Sequence, residues 1–179
     1  LLCSVGLSTI LSLFIQQKTI ACGYAYVSDC ATTIGIEVNG VTSTYQVSSC
    51  PYQTVFQGHN FGSPTSFNIT QANSITWESC NNNVMNAKLF YRIYPQSGSP
   101  GSFTPFLLPQ LTTNANGPYR TKTRGGNPAI NVLAGLNPGS YFIEIYMESD
   151  VDFDNNSTPD IQIKANNNGS NYKASFVIP

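Results

Sequence analysis

Residues 32–47 read TTIGIEVNGVTSTYQV, and their centre constrains the chain most. Asn39-Gly40 accepts positive φ at both middle positions of a type I′ turn, the two-residue connection whose twist matches antiparallel strands. Counting outward from it, Val38 faces Val41, Ile36 faces Ser43 and Ile34 faces Tyr45. Strand side chains alternate between faces, so Ile34, Ile36, Val38, Val41, Tyr45 and Val47 share one side. Thr33, Glu37, Thr42, Thr44 and Gln46 share the other. A one-residue slip would turn the apolar set to solvent, so the turn and the pattern together fix the register of a half-buried hairpin.

Further strands are expected at 66–70, 74–78, 87–94, 103–108, 129–133, 140–148, 160–165 and 171–178, separated by Gly-, Pro- and Asn-rich breakers. In the 141–148 stretch, Tyr141, Ile143, Ile145 and Met147 fall on one face, and Phe142, Glu144, Tyr146 and Glu148 on the other. No segment carries a sustained helical period, and no repeat or linker divides the body. Many short strands with turns between them predict an all-β fold, a single antiparallel β-sandwich of Greek-key type.

Residues 135–141, Gly-Leu-Asn-Pro-Gly-Ser-Tyr, resemble the Leu-x-Pro-Gly-x-Tyr start of a late strand in immunoglobulin-like and fibronectin-type-III-like sandwiches of secreted bacterial surface proteins. The resemblance implies that the Tyr141 hydroxyl bonds back to the preceding turn. It implies a fold and no activity. The Cys…Trp…Cys spacing of true immunoglobulin domains is absent, since Trp77 lies three residues before Cys80.

The sandwich is expected over 22–179, behind an apolar segment, 1–21. Residues 1–15 carry no charge, and the first basic residue is Lys18. An uncharged run, a polar stretch and a small Ala21 match a secretory signal, and about 15 residues is short for a membrane span. Two readings lead, with a lipoprotein lipidated at Cys22, after Thr-Ile-Ala, as a third. A removed signal places the body outside the cell. A retained segment must bury itself, and Leu7, Leu11, Leu13 and Ile15 share a face that would fill a neighbouring copy's sheet. Four cysteines follow, and an even number in an exported chain suggests two disulfides. Continuing the hairpin pairing favours Cys30–Cys50, which leaves Cys22–Cys80.

Charged residues make up 9% of the chain, against about 25% in ordinary domains, and the net charge is −1. Such a surface offers no footprint for nucleic acid or an anionic membrane. The one histidine, His59, has no nucleophile motif beside it and reads as a polar loop residue. Six of the nine carboxylates fall within 144–160. There Asp150, Asp152, Asp154, Asn156 and Asp160 follow the alternating start of a calcium loop, where oxygens two residues apart converge on a hard cation. Gly is missing at the sixth place and Glu at the twelfth, so Ca²⁺ is weighed against a plain acidic turn. Arg120, Lys122 and Arg124 alternate and are expected on one side of a solvated edge strand, protecting it from unwanted pairing. The sharper alternative is a joint between subunits, basic on one and acidic on the next.

These features predict a non-enzymatic extracellular structural protein, a surface fibre subunit or adhesin-type module that self-associates into a homopolymer or meets other surface proteins. A carbohydrate-binding module is the alternative. It would use exposed rings from among Tyr24, Tyr26, Tyr52, Tyr91, Tyr94 and Tyr119, and needs at least three on one face.

Overall fold

The computed structural model describes residues 25–27, 31–47, 55–80 and 82–179. They fold as an all-β sandwich of two antiparallel sheets, each built around one long central strand. In sheet A the spine is β4 (Phe67–Ser79). β1 (Ala25–Val27) and β2 (Thr33–Val38) share one of its sides end to end, and β9 (Tyr119–Gly126) and β10 (Ile130–Asn131) share the other. β3 (Val41–Gln46) lies outside β2, and β8 (Gln110–Asn116) lies outside β9. In sheet B the spine is β11 (Gly139–Asp152), flanked on one side by β13 (Tyr172–Ile178) and β12 (Ile161–Ala165). On the other side are β6 (Ala87–Pro95) and β5 (Asn83–Val84), with β7 (Thr104–Leu108) outside β6.

The hairpin has the predicted register, with Val38 opposite Val41, Ile36 opposite Ser43 and Ile34 opposite Tyr45. Asn39 and Gly40 take φ of 51° and 79°, as a type I′ turn requires. The Asn39 side chain also accepts N–H bonds from Thr65 and Ser66, which ties the turn to the start of β4.

Segments 66–70 and 74–78 are one strand, not two. Gly35 pairs with Gln71 while Ile36 pairs with Ile69, so Thr70 is skipped and β4 bulges there. A Cβ on Gly35 would sit 2.9 Å from the Gln71 Cβ, so the close approach needs glycine. The bulge reverses which residues point inward. Phe67 and Ile69 are buried before it; Ala72, Ser74, Thr76 and Glu78 are buried after it. One half of the interior is therefore apolar and the other polar.

The apolar half joins both sheets. Ile34, Ile36, Phe67 and Ile69 of sheet A meet Leu89, Ile143, Ile145, Met147 and Phe176 of sheet B. Phe176 packs edge-on to Phe67 at 5.2 Å and stacks on Tyr141 at 5.5 Å between ring centres. The Tyr141 hydroxyl donates to the Asn137 carbonyl at 2.9 Å, the contact implied by the 135–141 resemblance. In β11 the odd residues 141–147 face the core and the even ones face outward, as the alternation predicts.

Candidate functional site

After β11 the chain turns through 153–160, and here the structure gathers part of the expected calcium set. Asp152, Asp154 and Asp160 each offer an oxygen within 4.8 Å of the others. Those oxygens already have work inside the loop. Asp152 Oδ1 accepts the N–H groups of Asp154 and Asn156, and its Oδ2 accepts that of Ser157 at 2.8 Å. Asp160 accepts the Phe153 N–H at 2.6 Å. Burial pushes the Asp152 carboxyl up, but the N–H bonds from Ser157, Asn155 and Asn156 outweigh it and hold the group below its ordinary value. Asn156 caps Thr158 instead of turning inward.

Asp150 is drawn away from this group: Asn86 and Lys88 bind one of its oxygens, and Gln162 the other. The carboxylates thus suffice to shape the turn. A melting temperature unchanged between millimolar Ca²⁺ and chelator is the expected result. A rise with Ca²⁺ that chelator reverses would assign an ion to Asp152, Asp154 and Asp160.

The basic triplet is placed differently from its expected solvated edge. β8 pairs outside β9, so β9 is an interior strand, and Arg120, Lys122 and Arg124 point into the polar half of the sandwich. Their partner is Glu78, opposite Arg120 across the β4–β9 pair, and not the acidic run after residue 144. Its side chain is fully buried, with Arg120 Nε at 2.8 Å and Lys122 Nζ at 2.9 Å. Arg124, 4% exposed, donates to the Val84 carbonyl at 2.7 Å, and Glu78 accepts the Val84 N–H at 2.6 Å. The cluster therefore ties sheet A to β5 of sheet B. Burial pushes the Lys122 ammonium and the Arg124 guanidinium down, and Glu78 opposes both shifts. Sequence reading missed Glu78 because its partner is set by strand order. The usable signal was its position two residues after Thr76 on a strand whose other face carries Trp77.

The outward face of sheet B carries the other ion pairs. Glu144, 3% exposed, takes both Arg92 Nε and Nη2, the Tyr94 hydroxyl at 2.8 Å and the Asn171 amide at 2.7 Å. The Phe103 ring covers this guanidinium at 4.1 Å. Glu148 pairs with Lys164 at 3.0 Å. Burial pushes Glu144 and Asp150 up, yet their hydrogen bonds and ion pairs outweigh it and hold both below the ordinary carboxylate value. A depressed carboxylate adds stability that is complete above its unfolded value, about 4, and is lost as pH falls through the lower folded value. Urea midpoints are therefore expected to stay level from about pH 7 to 5 and to fall below about pH 4. A level midpoint down to about pH 2.5 would contradict these networks.

His59 is half-buried between Tyr45 and Phe61, with ring centres 4.8 and 4.5 Å away and its Nε2 3.3 Å from the Tyr45 hydroxyl. It borders an open depression of about 280 Å³ with Gln57, Phe142, Lys173 and Ser175. Among the described residues, no carboxylate or thiol lines that depression.

Of the tyrosines weighed as sugar platforms, Tyr94 is buried and spent on Glu144, and Tyr91 packs against the core. Tyr119 stays exposed and shares the outward face of sheet A with half-exposed Trp77. Of the three candidates whose side chains are described, Tyr119 is the exposed one. Tyr24, Tyr52 and the Tyr26 side chain lie outside the described residues, as do Leu7, Leu11, Leu13 and Ile15. Cys22, Cys30 and Cys50 do too, so each expected pairing has a cysteine outside the described residues; Cys80 is described and disulfide-bonded.

The sheet edges divide into two kinds. Those of sheet B are guarded. β7 carries Pro105, and β12 carries Lys164. β13 is covered by residues 58–62, through N–H bonds from Gly58 to Lys173, Phe61 to Ser175 and Val177 to Gly62. Those of sheet A, β3 from Val41 to Tyr45 and β8, have no strand beside them among the described residues. β3, VTSTYQ, and β8, QLTTNAN, hold no charge and no proline, the two usual guards of an edge. All seven β8 residues are exposed, so sheet A overhangs sheet B there. Among the described residues, the most exposed large apolar side chains are Val41 of β3 at 67%, and Leu111 of β8 and Leu107 of β7 at 60% each.

No protein-family model matches the chain, and a search of curated proteins finds no match. Among solved structures, the CooA pilin subunit from enterotoxigenic Escherichia coli is similar at a TM-score of 0.32 and 10% identity. That match covers 82% of this chain and 99% of the other.

Proposed function

We propose that the chain is a non-enzymatic building block of an extracellular surface assembly, a fibre subunit or adhesin-type module that packs against its own copies. The observation that carries this reading is where its described basic side chains go. Lys88, Arg92, Arg120, Lys122 and Lys164 are each held in an ion pair within the fold. Arg124 sits on a buried carbonyl, and Lys173 lies over the Tyr94 and Phe142 rings. What faces a neighbouring copy is mostly amide, hydroxyl and scattered apolar groups. Such a surface repels its copies little and loses little on desolvation, and interface cores are likewise poor in charge.

The test is sedimentation and negative-stain microscopy of the 1–179 chain over rising concentration, in low salt and in 1 M salt. Assemblies that persist in high salt are expected, with their N-terminal residue showing whether 1–21 is retained. A monomer at every concentration would overturn the reading.

A further inference from the structure

We propose that copies join edge to edge through sheet A, the β8 strand of one pairing with the β3 strand of the next. This rests on the self-packing reading above and names its joint.

A strand exposed on both faces and along one edge buries almost nothing for the monomer, yet ordering it costs conformational entropy. β8 is such a strand, and its outer N–H and C=O groups, with no strand beside them among the described residues, form a template for another strand. The outer side of β3 from Val41 to Tyr45 is the same kind of surface, with no strand beside it among the described residues. The two free stretches are close in length, five and seven residues, and neither holds a charge to desolvate.

Direction is fixed by the topology. Every neighbouring pair from β3 through β2, β4 and β9 to β8 is antiparallel, so β3 and β8 point the same way. Continuing the sheet into the next copy makes a parallel β8–β3 pair and leaves a free β3 and a free β8 at the ends. A contact between two different edges builds a ring where the rotation between copies closes and a helical filament where it does not, and strand twist supplies that rotation. Exposed Leu111 on β8 and Val41 on β3 would be brought toward the joint.

Edge lysines test the joint. Thr112→Lys/Asn114→Lys blocks β8, and Val41→Lys/Ser43→Lys blocks β3; all four positions are exposed. In sedimentation of the 1–179 chain each blocked variant alone should be monomeric. A 1:1 mixture should give a heterodimer, because one free β8 and one free β3 remain. If the β3-blocked variant dimerises alone, the joint is β8 to β8 and the proposal is overturned. The β8-blocked variant dimerising alone overturns it in favour of β3 to β3. If both variants assemble like the parent, the edge joint falls while the self-packing reading stands. A parent that stays monomeric removes both. Amide hydrogen exchange of the parent gives an independent readout that needs no substitution. Protection of both β3 and β8 should rise with concentration, and protection that stays level at either overturns the joint.

Discussion

Glu78→Gln is expected to destabilise the protein by about 3–5 kcal/mol, the range for breaking a buried ion pair from one side. For a chain of this size, that lowers the melting temperature by roughly 6–20 °C. The glutamine fills the same space but leaves Arg120, Lys122 and Arg124 facing the polar half of the sandwich with no carboxylate between them. It also places an amide where Lys122 and the Val84 N–H both seek an acceptor. Lys164→Ala is the matched comparison. It removes a 39% exposed lysine but leaves the 6% exposed Glu148 carboxylate without its cation, so it should cost about 1–3 kcal/mol, less than the fully buried Glu78. Adding Lys122→Met to Glu78→Gln should restore part of the loss by removing one stranded cation, and the double-mutant cycle measures the coupling. A Glu78→Gln protein within about 1 kcal/mol of the parent would mean that water, and not the carboxylate, satisfies the cluster.

Phe176→Ala should cost about 3–5 kcal/mol in urea unfolding, for a different reason. The ring is fully buried and bridges the sheets, meeting Phe67 of sheet A edge-on and Tyr141 of sheet B face to face. Both partners sit on rigid strands, so the cavity has little chance to collapse, and the cavity cost adds to the lost burial. Its neighbour Val177 points the other way and is 38% exposed, so Val177→Ala should stay within about 0.5 kcal/mol. Similar costs at both positions would mean that β13 does not hold the alternation described here.

Local and tertiary information separate cleanly along this chain. The hairpin register was legible because Asn39-Gly40 admits one turn geometry and the flanking residues alternate. The faces of β11 followed from the same period, and the Tyr141 contact from a short motif whose partner is four residues away. Each depends on neighbours close in sequence. β8 and the course of β9 as an interior strand were not legible. Gln110–Asn116 has no apolar alternation to reveal it, because neither of its faces meets the core. Missing β8 put the sheet edge one strand too far in, and so read Arg120, Lys122 and Arg124 as solvated. The Thr70 bulge was invisible for a related reason. It exists to fit β4 against Gly35, whose place beside it is set by the sheet.

The acidic loop shows the same division from the other side. Alternate aspartates were expected to converge, and Asp152, Asp154 and Asp160 do. Asp150 keeps the spacing but lies inside β11, where the strands on either side bring it Lys88 and Gln162.

By itself the sequence determined an all-β chain, the register of its first hairpin, the inward faces of β2 and β11 and the scarcity of its charge, because alternation and turn chemistry act over a few residues. Only the tertiary structure decided which charges are buried and with whom, and which strands are left at the edges. Strand order is settled by contacts between residues far apart in the chain, and a lone Glu78 or an unpatterned β8 carries no local mark of the neighbour it will meet.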